Sequence, residues 1–152
     1  HLWHMHLTLH SDYSLRLLML LAVEADRAHT VEEVAGRYDI SRNHLNKVVQ
    51  TLVQAKFIRS VRGRGGGISL ALPPEEINLG DVIRASEDNF DLVECFDKET
   101  NTCILAPVCG LKGPLEEALM AFLKVLDSYS LHDLVMRPGA YRKIRKVLSS
   151  GW

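Results

Sequence analysis

The chain is predicted to be mainly α-helical with one small β-hairpin: a winged helix-turn-helix followed by a long helix suited to dimerisation. Three observations predict it. Apolar residues recur at helical spacing through most of the 152 residues. One segment, "FIRSVRGRGGGISLAL", switches to alternation on either side of a glycine-rich tip. Between Ile40 and Pro74 there is no aspartate or glutamate at all.

The elements follow in order. Ser11 opens "SDYSLRLLMLLAVEA" as a helix cap, and Leu15, Leu18, Met19 and Ala22 give that helix one apolar stripe. Thr30 with Glu33 three residues later has the form of a capping box and starts a short helix through Arg37. Tyr38 to Ile40 makes a tight turn. Ser41 then caps a second helix running to about Gln54. Val34, Ala35, Ile40, Leu45, Val48 and Leu52 are placed to face inward, which is the helix-turn-helix pattern. Two short strands around Gly63 to Gly67 form the wing, ended by Pro73-Pro74. A further helix is expected from Leu79 to Glu87, then a loop from Asn89 to Gly113, too long to be a mere connection. Pro114 occupies a first-turn position of the next helix, "PLEEALMAFLKVLDSYS". "LHDLV" and "AYRKIRKVL" read as short C-terminal helices, the latter with a basic face.

The long helix carries Leu115, Ala118, Leu119, Phe122, Leu126 and Tyr129 as an apolar stripe that needs burial. It lies just outside a small head and has little surface of its own chain to pack on. A homodimer interface is therefore expected there.

Composition sets the class. Apolar residues make up 47% and charged residues 24%, ordinary for a globular protein. No apolar run is long enough to span a membrane, and "HLWHMHLTLH" does not resemble a secretory signal. A cytoplasmic protein with reduced thiols is expected. His1, His4, His6 and His10 could form a metal tract, but His1 to His4 reads more simply as an extension ahead of Met5.

Net charge is −1, yet the acid-free stretch holds Arg42, Lys47, Lys56, Arg59, Arg62 and Arg64, a local +6 that leaves −7 elsewhere. A basic stripe on an acidic protein suits a polyanion. Ser41, Arg42, Asn43, His44, Asn46 and Lys47 stand at the start of the second helix of the motif, the part that enters a DNA major groove. Arg42 and Asn43 suit guanine and adenine edges; Ser41 and Lys47 suit phosphates. In the wing, Arg59, Arg62, Arg64 and Gly65 would approach the backbone or minor groove of double-stranded DNA. A nucleotide-binding loop is the weaker rival reading, because no Gly-Lys-Ser/Thr follows the glycines and they lead into a strand.

All three cysteines, Cys95, Cys103 and Cys109, fall within "ECFDKETNTCILAPVCG". Their spacing, C-x7-C-x5-C, lacks the paired knuckles of zinc ribbons. Soft thiolates suit iron–sulfur clusters, zinc or Cu(I), and a four-ligand site needs one more donor. Buried structural thiols are the simpler alternative.

"SDYSLRLLMLLA", "ISRNHLNKVV", "VRGRGGGISLALP", "INLGDVIRASE" and the cysteine loop, in that order, resemble the Rrf-type winged-helix repressors from about Met5 to Val135. That resemblance implies a homodimer on partly palindromic operators, with a long helix crossing between subunits. It also implies a 2Fe–2S or 4Fe–4S cluster on the three cysteines, with Asp12 of the other subunit as fourth ligand and His10 as its rival. Recognition helix and wing are similar to nitric-oxide-sensing members; the cysteine spacing is similar to iron-responsive ones. The expected function is a nitric-oxide-responsive repressor, with an iron-responsive one as alternative. An iron–sulfur or thiol redox protein is the reading of another class, but no paired-carboxylate or Ser/His/Asp constellation supports an enzyme. Three units follow: residues 5–74 as DNA-binding domain, 75–113 as linker helix and cluster-binding loop, and 114–152 as dimerisation helix with C-terminal helices.

Overall fold

A computed structural model describes residues 5–150; His1 and His4 of the N-terminal histidine group lie outside them. Seven α-helices and one two-stranded antiparallel sheet make up the described chain: α1 (Leu9–Val23), α2 (Val31–Tyr38), α3 (Arg42–Gln54), β1 (Ile58–Val61), β2 (Gly67–Leu70), α4 (Leu79–Ser86), α5 (Lys112–Asp127), α6 (Leu131–Val135) and α7 (Ala140–Ser149). Single 3-10 turns cover Pro74–Glu76 and Glu94–Phe96.

Helix α1 is the central post. Leu17, Leu18, Leu20, Leu21, Ala22 and Val23 are all buried, so its apolar surface runs most of the way round rather than along one stripe. Packing against α3, α4 and α6 accounts for this. The cap is also displaced. Thr8 Oγ1 accepts the Ser11 amide at 3.2 Å and α1 starts at Leu9. Ser11 is instead buried, its hydroxyl 2.7 Å from that of Ser86, which donates to the Val82 carbonyl at 2.8 Å. A residue read as a cap thus ties α1 to α4.

The helix-turn-helix follows the expected pattern. Val34, Ala35, Ile40, Leu45, Val48 and Leu52 are all buried. Thr30 caps α2 through the Glu33 amide at 3.1 Å, but the Glu33 carboxylate turns away to Arg27, His29 and Arg37, so only half of a capping box forms. The reciprocal box occurs at Ser130 and Asp133, opening α6. Asp39 adopts a left-handed conformation with φ 52° and closes α2.

Strands β1 and β2 pair Ile58 with Leu70 through Val61 with Gly67. The sheet is fixed to the head by His29, whose amide donates to the Ile68 carbonyl at 3.0 Å and whose carbonyl accepts from the Ile68 amide at 2.7 Å. Gly67 allows this approach: with φ 140°, a Cβ there would stand 2.5 Å from the His29 oxygen.

The core that holds α1 to α4 also takes Leu131 and Val135 of α6. Helix α5 begins at Lys112, so Pro114 sits inside its first turn. It packs on α4, with Arg84 clamping Asp127 at 2.6 and 2.8 Å. Gly80 leaves room for this pair at the crossing, since a Cβ there would lie 1.8 Å from Asp127 Oδ1 and would force the Arg84–Asp127 pair to shift.

The apolar residues of α5 divide between two faces. Leu123 is buried and Leu115, Leu119 and Leu126 are half-buried, whereas Ala118, Phe122 and Tyr129 are exposed. Val125, also exposed, completes the second set at 118, 122, 125 and 129. Three of the six residues expected at a partner therefore lean toward their own chain.

Candidate nucleic-acid interface and cysteine loop

The surface built by residues 40–74 is basic. Extended backbone at Ser41 lets its Oγ accept the His44 amide at 3.1 Å, which fixes the first turn of α3. Leu45, Val48, Val49 and Leu52 face the core, so Arg42, Asn43, Asn46 and Lys47 project outward. Lys56, Arg59, Arg62 and Arg64 are exposed as well, putting all six cations of the acid-free stretch in water. At the wing, Gly63, Gly65 and Gly67 have positive φ, and Arg59 donates to Ser69 Oγ across the strands at 3.2 Å.

Not every residue of the expected surface faces out. His44 is half-buried, edge-on to Tyr13 with ring centres 4.8 Å apart and stacked on His10 at 6.1 Å. It braces α3 on α1. Arg42 is held by Glu32 of α2 at 2.7 Å, an exposed pair that positions the guanidinium more than it stabilises the fold.

A group missed in the sequence sits behind this surface. His29 is fully buried, with Nε2 3.1 Å from the Glu24 carbonyl and Nδ1 3.4 Å from Glu33. Arg27 and Arg37 also converge on Glu33, and Arg37 reaches Glu24 at 2.6 Å. The Arg27 guanidinium holds the Glu33 carboxyl down to about 2, against an ordinary 4.5, despite partial burial. Burial pushes the Tyr38 phenol up to about 12, and its hydroxyl donates to the Arg16 carbonyl at 2.8 Å. His29 has no periodic signature, and its link to Ile68 crosses too much chain for any local pattern to register.

In the cysteine loop, the Glu94 carboxylate accepts both the amide and the hydroxyl of Thr102, the latter at 2.5 Å. Those two hydrogen bonds hold the Glu94 carboxyl below its usual range. Glu94 and Thr102 immediately precede Cys95 and Cys103, so the seven-residue spacer closes on itself as a small side loop. Inside it, Asp97 accepts from the Glu99 amide at 2.9 Å and the Thr100 hydroxyl at 2.7 Å. Asn101 Oδ1 accepts the Cys103 amide at 3.0 Å, and the Leu111 amide approaches Cys109 Sγ at 3.4 Å.

The three thiols are free of disulfides; Cys103 is exposed and the other two half-buried. Three soft, unpaired donors fit an iron–sulfur group by their chemistry. Among the described residues of one chain, however, no three or more His, Cys, Asp or Glu side chains gather closely enough for a metal. Asp12 lies in the first turn of α1, gripped by Arg16 at 2.6 and 3.0 Å and still 40% exposed. His10 is engaged elsewhere, 2.9 Å from Thr51 Oγ1, and burial followed by the nearby His44 lowers its pKa. No helix among the described residues is long and apolar enough to cross a membrane.

The Rrf2 family, described as iron-dependent transcriptional regulators, matches residues 7–137. The chain belongs to the Rrf2 family. It is 49% identical to the HTH-type transcriptional regulator NsrR of Bacillus subtilis over 144 residues, 94% of this chain and 99% of that one. It is 51% identical to NsrR of Halalkalibacterium halodurans, over 94% and 99%. The solved structure of T. potens IscR, 25% identical, superposes with a TM-score of 0.69 over 88% of each chain. This Rrf2 protein is thus a winged-helix transcriptional regulator and not an enzyme, as its sequence leads one to expect.

Proposed function

We propose that the protein is a cytoplasmic, dimeric repressor that binds operator DNA under control of an iron–sulfur cluster sensing nitric oxide. The observation that carries this is the acid-free stretch 40–74, folded as recognition helix and wing with all six cations exposed. Polar donors at the start of α3 read base edges, while Lys47 and the wing arginines engage phosphates. Likeness to relatives named NsrR favours nitric oxide as the effector.

Cys95, Cys103 and Cys109 would hold the cluster, with Asp12 of the partner subunit as fourth donor. When bound, the cluster supplies iron with one exchangeable oxygen ligand, open to a small molecule. Both candidates are engaged within their own chain, Asp12 by Arg16 and His10 by Thr51, and the resemblance to nitric-oxide-sensing members favours Asp12. The exposed set Ala118, Phe122, Val125 and Tyr129 on α5 supplies an apolar strip for the second subunit. An iron-responsive repressor is the second reading, favoured by the C-x7-C-x5-C spacing. The clasp between Glu94 and Thr102 weakens it, because a spacer that folds back on itself brings its two ends together whatever its length.

The test is anaerobic purification, an absorbance spectrum, and operator binding with and without nitric oxide. A coloured dimer that releases DNA on nitric oxide supports the proposal. Release only on iron chelation favours the iron-responsive reading. Colourless protein with unaltered DNA binding in a triple Cys→Ala variant removes the cluster from the mechanism.

A further inference from the structure

We infer that the exposed basic face of α7 is a second DNA surface, which binds phosphates flanking the operator held by α3 and the wing. The inference rests on the DNA-binding reading above. After Asp133 the sequence has no acid, but it has Arg137, Arg142, Lys143, Arg145 and Lys146. Helix α7 lays Tyr141, Ile144 and Leu148 against the core, and all five cations stand exposed. Arg145 is braced on Tyr141, its guanidinium 2.8 Å from the phenol oxygen. Among the described residues no carboxylate pairs with Arg142, Lys143 or Lys146 within 4.0 Å.

This helix is fixed to the DNA-reading head. Tyr141 Oη donates to the Val23 carbonyl at 3.1 Å, and Arg37 of α2 donates to the Leu148 carbonyl at 2.5 Å. Leu148 and Ser149 share a groove of about 540 Å³ with Glu32, the acid that holds Arg42. The groove at the end of α7 is thus lined by the same acid that pairs with Arg42, the first residue of the recognition helix. The acids in that region cannot neutralise α7, since Glu24 and Glu33 are taken by Arg27 and Arg37, and Glu32 by Arg42. An unneutralised cationic helix on the rigid unit that carries α3 is complementary to a duplex that continues beyond the base-reading contacts.

The test uses an operator selected from random duplexes by the purified protein, in a minimal form and extended by about one helical turn (~10 bp) on each side. The variant is Arg142→Gln, Lys143→Gln and Lys146→Gln, with Arg145 kept. On the extended duplex, the slope of log affinity against log salt should fall by roughly 0.9 for every phosphate that α7 no longer neutralises. On the minimal duplex, affinity should stay within about two-fold and base preference should not change. A second variant, Lys143→Glu and Lys146→Glu, should weaken extended-duplex binding further at an unchanged melting temperature. Equal slopes for wild type and variants on the extended duplex overturn the inference. A wild-type protein that binds neither duplex overturns the DNA-binding reading and this inference with it.

Discussion

The DNA-reading head and the cysteine loop solve opposite problems. From α1 to α4 the chain buries a continuous core, and no described buried side-chain polar atom lacks a partner. Residues 88–111 contribute no buried residue at all, and Ile104 and Val108 are 91% and 84% exposed. Hydrogen bonds in that loop mostly join residues two to eight apart. The head is held by long-range packing and the loop by local turns. Such a loop is stable in outline and open to a ligand or a second subunit, whereas the head is finished within one chain.

The largest contrast between the two regions is expected in the core. Leu52→Ala, on the buried side of α3, should cost about 2–5 kcal/mol of unfolding free energy. Cys103→Ser, at an exposed loop position, should change it by less than about 0.5 kcal/mol in cluster-free protein. Urea unfolding of both variants measures the contrast. Similar losses would mean that the loop is part of the same cooperative unit.

Within the DNA surface, Arg42→Ala should cost about 1–3 kcal/mol at one base position and relax preference there. Arg62→Ala should weaken all duplexes alike and lower the salt slope by roughly 0.9. Binding to a panel of single-base operator variants separates the two. A uniform loss for Arg42→Ala would place it on phosphate.

Much of the head is legible in the sequence because its signals are local. Ser41, the buried set from Val34 to Leu52, and the glycine-rich wing each announce themselves within a turn or two of chain. Expectation and structure part where tertiary context chooses between local options. Thr8 and Ser11 could both cap α1, and the pull of Ser86 decides for Thr8. Glu33 could complete a capping box, but two arginines and His29 outweigh one backbone amide. Leu123 falls outside the expected α5 stripe because α4, which its helix meets, is distant in sequence. In the candidate site, the thiols are plain from composition, while the clasp that closes their spacer is not, since Glu94 and Thr102 carry no motif.

The Glu33 cluster makes the head a charged network over a packed core. Its folded pKa, about 2, lies below the ordinary 4.5 expected of the unfolded chain. Its stabilisation is therefore complete above about pH 4.5 and is lost as pH falls toward 2. Solvent screening at the half-exposed Arg27 reduces this to about 1 kcal/mol. Urea midpoints at pH 7 and pH 3 should differ less in Glu33→Gln than in wild type. An equal pH dependence would show that Arg27 and Arg37 contribute nothing through this carboxylate.

The smallest effect belongs to the loop. Glu94→Gln keeps the shape of the side chain but loses the charge that receives the Thr102 amide and hydroxyl. Charge-assisted hydrogen bonds are about twice as strong as neutral ones, but Glu94 is exposed and water competes. Global stability should not move, because the loop stands outside the core. What should change is local. With the clasp loosened, the segment between Cys95 and Cys103 opens more often, and both thiols should react several-fold faster with an alkylating probe in cluster-free protein. Cys109 lies beyond the clasp and serves as the internal control. Equal acceleration at all three cysteines would show that the loop opens as one piece, and that the Glu94–Thr102 pair does not organise the spacer.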